Sequence, residues 1–345
     1  MRTFIYTLMM DKRKGAIYAP IKFALYLVSL LYGAAIFFRK VFYDVGFFKK
    51  ESVPMKVISV GNLTLGGTGK TPFVIKLTKL LSQEMKKEVS VLIRGYGWDE
   101  AAMLKANLPD HPVLVDENRV KSAHKAIKLY GCNTAVLDDG FQYWELKRDL
   151  DIVLISSRNP FGNGKLFPRG ILREPVDSIK RADVVIFTKV DKKLYDISAL
   201  KDELRKVNPK LLFLEASHKP KQMHEIKTKK VHDLAEIKGK KLILLSSIGD
   251  PKYFKEMAKG MGATVVAHLI FQDHYDYTKK DIDNITKACN ERKFDYLLTT
   301  EKDAVKLNRF GLSIGNYAVM VLAIDMDITS GKEELIARLH SLYTR

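Results

Sequence analysis

Apolar and polar positions fall into three regimes along the chain. Residues 23–38 read F-A-L-Y-L-V-S-L-L-Y-G-A-A-I-F-F without a charge, between Lys22 on one side and Arg39 and Lys40 on the other. That run predicts a helix that is apolar nearly all round, slightly short of the ~20 residues a bilayer span requires. From Pro54 onward, short apolar runs alternate with amphipathic stretches. Met55–Val60, Val89–Ile93, Val113–Val115, Thr134–Leu137, Ile152–Ile155 and Val184–Phe187 are predicted strands. Thr71–Leu81 carries Val74, Ile75, Leu77, Leu80 and Leu81 at helical spacing, and Arg119–Leu129 is a second helical pattern. Such alternation predicts a mostly parallel sheet with helices on both faces. The Lys-rich stretch 219–241 is poor in apolar clusters and reads as a linker. A second α/β set follows it, with strand candidates Leu242–Ser246, Thr264–Ala267, Tyr296–Leu298 and Tyr317–Leu322. The expected segments are a membrane-docking helix (1–50), a first α/β domain (51–218), the linker (219–241) and a second α/β domain (242–345).

Charge sharpens this outline. The chain has 345 residues, 46% hydrophobic and 28% charged, which suits two globular domains and excludes a disordered chain. Its 58 Lys plus Arg against 40 Asp plus Glu leave +18, an excess that points to an anionic partner unless Lys serves only as the solvating residue. No nucleic-acid-binding module is visible, so no nucleic acid is expected. No obligate protein partner is expected either. Residues 1–60 hold ten Lys or Arg against Asp11, Asp44 and Glu51. With Tyr6, Tyr18, Tyr26, Tyr32 and Tyr43 nearby, this composition suits an anionic leaflet. The helix is expected to lie in the interface, with a single span or a buried core helix as the other readings. The later domains look cytosolic, which puts membrane contact on the cytoplasmic face. Cys132 and Cys289 are far apart, form no metal-ligand pair and fit a reducing compartment.

The sharpest chemical signal is V-G-N-L-T-L-G-G-T-G-K-T-P, Val60 to Pro72, between a predicted strand and a predicted helix. Gly66, Gly67 and Gly69 let the backbone turn its N–H groups inward, and those donors cradle phosphate at the helix amino terminus. Thr64, Leu65, Gly66, Gly67, Thr68, Gly69, Lys70 and Thr71 form the expected ATP-binding loop. Lys70 reaches the β- and γ-phosphates, and the Thr71 hydroxyl suits Mg²⁺. Thr64 stands where the motif normally has its first Gly. Thr134–Leu137 then delivers Asp138 and Asp139 into a turn with Gly140, Phe141 and Gln142. Adjacent carboxylates repel, and a cation relieves them. Pro160–Pro175 is a Gly- and Pro-punctuated loop carrying Lys165, Arg169, Arg173 and Glu174. Thr71, Asp138, Asp139, Gln142 and Glu174 are the candidate Mg²⁺ ligands. Which of the last four touches the metal is left open.

With these residues assembled, the sequence resembles the tetraacyldisaccharide 4′-kinases of lipid A synthesis over nearly its whole length. The resemblance rests on L-L-Y-G (Leu30–Gly33), the phosphate loop, R-G-Y-G (Arg94–Gly97), L-D-D-G-F-Q (Leu137–Gln142), P-R-G-I-L-R-E-P, F-Q-D-H-Y-D-Y (Phe271–Tyr277) and T-T-E-K-D-A-V-K-L (Thr299–Leu307). It implies a P-loop NTPase-like parallel sheet domain plus a smaller Rossmann-like α/β domain. It also implies docking on the cytoplasmic side of the inner membrane. The implied reaction transfers the ATP γ-phosphate to the 4′-hydroxyl of an acylated disaccharide phosphate. A catalytic Asp–His pair matches Asp99 and His274, although W-D-E-A replaces the more usual G-D-E-P around the Asp. Lys70 and Arg173 complete the expected catalytic set, and Arg94 and Arg119 are candidates for the substrate phosphate.

Two rival readings remain. T-K-V-D, Thr188–Asp191, looks like the guanine-reading element of a GTPase, but Leu137 stands where the switch element requires Asp. A nucleotide-binding scaffold would need neither Asp99 nor His274.

Overall fold

The structure, a computed structural model, describes residues 2–95, 97–191, 196–310, 314 and 317–344. Tyr96 of the R-G-Y-G motif lies outside the described residues. In chain order the elements are α1 (Arg2–Met9), α2 (Ala19–Asp44), β1 (Lys56–Gly61), α3 (Lys70–Gln83), β2 (Val89–Ile93), α4 (Trp98–Asn107), β3 (Val113–Val115), α5 (Arg119–Tyr130), β4 (Thr134–Asp138), β5 (Leu150–Ser156), β6 (Val184–Thr188) and α6 (Ser198–Val207). There follow β7 (Leu212–Glu225), β8 (Val231–His232), β9 (Lys241–Ser246), α7 (Pro251–Gly260), β10 (Thr264–Ile270), α8 (Lys279–Asn290), β11 (Tyr296–Thr300), α9 (Glu301–Leu307), β12 (Val319–Ser330) and α10 (Lys332–His340).

The chain divides into two compact units. The first comprises Met1–Gly95, Leu108–Ser217 and Met326–Arg345. Its strands run in the order β7-β6-β5-β1-β4-β2-β3, every neighbouring pair parallel. The central strands are buried on both faces, which is why they read as unbroken apolar runs such as Val184–Phe187. β1 lies between β4 and β5, with Val60 level with Asp138. That register delivers the phosphate loop and the Asp138–Asp139 turn to the same carboxyl edge of the sheet, where open α/β sheets bind ligands. α3 follows the loop directly and buries Phe73, Val74, Leu77, Leu80 and Leu81, the predicted apolar stripe.

The second unit comprises Tyr96–Asn107 and His218–Asp325. Its parallel strands run β10-β9-β11-β12. α8 begins at a capping box in which the Thr278 hydroxyl accepts from Asp281 N–H and the Asp281 carboxylate accepts from Thr278. Thr300 caps α9 by accepting from Asp303 N–H.

The expected linker over 219–241 is instead structured. It carries the end of β7, β8 and a short helical turn at Leu234–Ile237, with Met223 and Ile237 in a core with Leu242 and Leu244. The Lys side chains that make the stretch look unstructured sit beside buried Met223, and β8 pairs antiparallel with β7 there. The carboxyl-terminal helix α10 belongs to the first unit, not the second.

α2 is long and well exposed. An apolar stretch covering Ala16–Asp44 has a mean hydropathy of 1.9 in its best window, only 6% of which is buried. A buried core helix is therefore not what the structure shows. Phe23, Leu31, Phe37 and Phe38 are exposed, while Ser29 and Tyr43 are buried.

Candidate active site

The phosphate loop is held by side chains to which the sequence reading gave no such role. Gly66 (φ 108°) and Gly69 (φ 88°) occupy left-handed backbone that a Cβ would strain. Asn62, fully buried at the end of β1, donates from Nδ2 to Thr64 O (2.7 Å) and Thr68 Oγ1 (3.2 Å). From β6, Thr188 Oγ1 donates to Thr68 O, and Lys189 Nζ donates to Gly67 O, both at 2.8 Å. The rival guanine-reading element thus supplies two supports for the loop backbone.

Two cations meet one carboxylate beside this loop. Arg173 Nη1 donates to Asp139 Oδ1 at 2.7 Å and to Asn62 Oδ1 at 3.3 Å. Lys70 Nζ lies 3.3 Å from Asn62 Oδ1 and 3.5 Å from Asp139 Oδ1. Burial alone would raise the Asp139 carboxyl, but Lys70 and Arg173 outweigh it and hold the group well below the usual carboxylate range. Burial likewise works against the charge on Arg173, and Asp139 overcomes it. Asp139 adopts φ 55°, a strained backbone for a non-glycine residue, and such strain concentrates at functional sites. The arrangement keeps two preorganised positive charges beside the glycine-rich loop.

Thr71 Oγ1 donates to Asp138 Oδ2 at 3.4 Å, and both side chains are buried. Gln142 Nε2 donates to Asn62 O, while its Oε1 is buried with no hydrogen-bond partner among the described residues. Hard oxygen donors with an orphaned acceptor beside them fit Mg²⁺, which keeps several waters and shares its ligands with phosphate. Among the described residues no cluster of three or more His, Cys, Asp or Glu forms an all-protein cage. Glu174, expected among the metal ligands, is instead engaged elsewhere. It accepts from Arg181 at 2.7 Å, and that guanidinium stacks over Phe141 and Trp144. The described contacts of Asp139 are likewise with cations of the chain. Arg119, expected to meet substrate phosphate, is buried over the Tyr143 ring, and burial lowers its pKa. Arg94 is exposed.

α2 is tied to the loop that carries Arg173. Tyr32 Oη donates to Arg173 O at 2.9 Å. Asp11, between α1 and α2, accepts from Arg169 (2.9 Å) and Asn163 (2.9 Å) and pairs with Lys22 (2.7 Å).

The second unit assembles the Asp–His pair. Asp99 stands in the first turn of α4, where its Oδ1 accepts from Glu100 N–H (3.0 Å) and the helix amino terminus favours an anion. His274, in the turn between β10 and α8, brings Nδ1 to 3.4 Å from the same oxygen. Its φ is 58°, a second strained position. The aspartate side chain is 3% exposed and the imidazole 44%. Burial would raise the Asp99 carboxyl, but the His274 hydrogen bond and the charges of Lys302 and Lys306 hold it well below its ordinary range. The bond to Asp99 raises His274 above its ordinary 6.5, against burial and Lys302. On the outer side, His274 Nε2 lies 3.1 Å from Lys302 Nζ, 3.7 Å from Glu100 and 3.9 Å from Asp273. Gly97 abuts the pair: a Cβ there would lie 2.5 Å from Asp99 Oδ1 and 3.1 Å from His274 Nδ1.

These two clusters lie in sequence blocks shared with known proteins. The model of the tetraacyldisaccharide-1-P 4′-kinase family matches residues 21–99 and 98–343. The chain belongs to that family. A tetraacyldisaccharide 4′-kinase of Halothermothrix orenii is 36% identical over 84% of this chain and 84% of its own. One of Desulfatibacillum aliphaticivorans is 36% identical over 81% and 82%, respectively. Among solved structures, LpxK from Aquifex aeolicus in complex with ATP is similar at 28% identity. It covers 93% of this chain and 99% of its own, with a TM-score of 0.70. The match extends over the mostly parallel α/β architecture expected from the strand–helix alternation. Asn62, Lys302 and Lys306 all lie inside motifs that carry the resemblance. The signal for the two lysines was present in T-T-E-K-D-A-V-K-L, whose helical spacing puts residues 302 and 306 on one face.

Proposed function

We propose that this chain transfers the γ-phosphate of ATP to the 4′-hydroxyl of a tetraacyldisaccharide 1-phosphate, the reaction for which its relatives are named, at the cytoplasmic face of the inner membrane. The phosphate loop binds the triphosphate through backbone N–H groups, with Lys70 and Arg173 on the terminal phosphates. Thr71 and Asp138 hold Mg²⁺, with Gln142 as a neighbouring acceptor; when bound, the ion neutralises charge on the transferring phosphoryl group. The acceptor hydroxyl is a weak nucleophile at neutral pH. The Asp99–His274 pair takes its proton as the oxygen–phosphorus bond forms and the bond to the leaving ADP oxygen breaks, help typically worth ~10²–10⁴-fold. The exposed imidazole Nε2 is the receiving atom, and buried Asp99 keeps Nδ1–H oriented and stabilises the imidazolium. α2 lays its exposed apolar residues into the leaflet, and the basic residues of the amino-terminal segment meet anionic headgroups.

The observation that carries this reading beyond nucleotide binding is the Asp99–His274 contact, because a loop that only binds or hydrolyses nucleotide does not need it. The direct test is acceptor dependence. ATP consumption should depend on the acylated disaccharide phosphate. GTP hydrolysis that proceeds equally well without any acceptor would instead support the GTPase reading.

A further inference from the structure

α9 carries a buried lysine that the reaction as described does not use. Lys306 is 2% exposed, with Nζ 3.1 Å from Asp99 Oδ2. It donates to Ser247 Oγ at 2.8 Å. Ser247, just past the end of β9, donates from Oγ to Asp303 Oδ1 and from its backbone N–H to Asp303 Oδ2 (3.0 Å). Asp303 is fully buried and also accepts from Tyr277 Oη (3.2 Å) and Thr300 Oγ1 (2.8 Å). Four donors thus fix Asp303, Asp303 fixes the Ser247 hydroxyl, and that hydroxyl holds the Lys306 ammonium within ion-pair distance of Asp99.

The two oxygens of Asp99 therefore have separate duties. Oδ1 faces His274 Nδ1 and the Glu100 amide, and Oδ2 faces Lys306, with Lys302 further away at 3.9 Å. Burying an ammonium group costs several kcal/mol, which packing alone would not justify, since an apolar side chain fills the same space without that cost. What Lys306 adds is a positive charge shared by two buried carboxylates, 3.1 Å from Asp99 Oδ2 and 3.8 Å from Asp303 Oδ1.

We infer that Lys306 is a positioning residue that locks the Asp99 carboxylate through Oδ2 and so orients the imidazole through Oδ1, without touching substrate. This rests on reading Asp99 and His274 as the proton-accepting pair. The cation also draws off part of the Asp99 charge, which would otherwise hold the imidazole proton more tightly. Among the described residues the remaining charged neighbours of the pair are Glu100 on α4, Asp273 beside His274 and Lys302 on α9. They persist when Lys306 is replaced, so its effect can be isolated.

The test is a double-mutant cycle on the full chain with Mg·ATP and the acylated disaccharide phosphate. Lys306→Met should lower kcat about 10²-fold while KM for ATP stays within about two-fold, the signature of a misplaced reacting group. In the Asp99→Asn background the same substitution should cost less than about three-fold, because its target charge is gone. The acid limb of the pH–rate profile should move to higher pH in Lys306→Met. Equal losses in both backgrounds, or an unmoved acid limb, overturn the inference. Should Lys306→Met fail to fold, Ser247→Ala removes the acceptor that aims the ammonium and should cost about five-fold in kcat, again only when Asp99 is present. NMR titration of His274 in the ATP-free protein separates this claim from the kinase reading. An imidazole that titrates at higher pH in the Lys306→Met or Ser247→Ala protein supports the inference whatever the enzyme phosphorylates. An unchanged titration overturns it.

Discussion

Gly97→Ala adds one methyl group at the point where the Asp–His pair has least room. The φ of Gly97 lies outside the left-handed region, so the backbone accepts alanine and only the new Cβ matters. Where that is so, Gly→Ala ordinarily stabilises a fold by about 0.4–1 kcal/mol through the unfolded chain. Here the Cβ would lie 2.5 Å from Asp99 Oδ1 and 3.1 Å from His274 Nδ1. The first distance is about 1 Å short of ordinary van der Waals contact. Asp99 cannot easily yield, since its Oδ1 accepts from the Glu100 amide and its Oδ2 is ion-paired with Lys306 in a buried setting. The imidazole, half exposed in its turn, is the side that gives way. Overpacking of this kind costs about 1–3 kcal/mol, so the net change in stability should lie between about zero and a loss of about 2.6 kcal/mol. A reacting group displaced by about 1 Å costs on the order of 10²-fold in rate. Gly97→Ala should therefore lower kcat about 10²-fold with KM for ATP unchanged, because the phosphate loop belongs to the other unit. Steady-state phosphoryl transfer at saturating acceptor, alongside a thermal melt, reads both quantities. A folded variant within about three-fold of wild-type kcat would refute the placement of the pair against Gly97.

Four further outcomes follow from the same geometry. Arg173→Ala should lower kcat by about 10²–10³-fold, and Arg173→Lys should recover only part of the loss, because with Nη1 on Asp139 and Asn62 the planar guanidinium keeps a second nitrogen for phosphate, which a lysine ammonium lacks; full recovery would show that charge alone matters. Activity should rise with pH through an acid limb lying above 6.5, the ordinary histidine value, since Asp99 raises His274 and the free imidazole is the active form. The linked stability has the opposite sense: a group raised on folding stabilises below its unfolded pKa and loses that contribution as pH rises through the folded value. The melting temperature of wild type relative to His274→Gln should thus fall across that window, and a constant difference would contradict the pairing. Serine at Phe23, Leu31 and Phe38 together should abolish co-sedimentation with anionic vesicles while leaving the melting temperature within about 2 °C, since these side chains are exposed; retained binding would put the membrane contact elsewhere.

Much of this was legible from residue pattern, and the failures have physical causes. The strand–Gly-rich loop–helix around Lys70 is local, and its meaning is set by backbone chemistry that neighbouring residues dictate. β4 and its two carboxylates were equally plain, but the division of labour between them was not. Nothing in D-D reveals that Asp139 faces Lys70 and Arg173 while Asp138 faces Thr71; the register of β1 against β4 decides it. Glu174 stood out only as a carboxylate in a basic loop, and the sequence did not show that Arg181, seven residues later, bonds its Oε2. The 219–241 stretch hid strand β7 behind lysines, whose long stems tolerate partial burial in a way hydropathy ignores. Unit boundaries were the least visible feature. Residues 96–107 join the second unit from within the first, and α10 returns to the first, because burial partners rather than sequence order define a core. His274 alone would have read as a loop histidine; its meaning came from F-Q-D-H-Y and then from Asp99, 175 residues away.

The measurement that bears most directly on the account is transfer of label from γ-labelled ATP to a tetraacyldisaccharide 1-phosphate, with the phosphorylated position read by mass spectrometry. Label at the 4′-oxygen with the wild-type chain, reduced at least about 10²-fold in both Asp99→Asn and His274→Ala with ATP binding intact, is the expected result. Wild-type protein that binds ATP but leaves every lipid unlabelled, or variants as active as wild type, would contradict it.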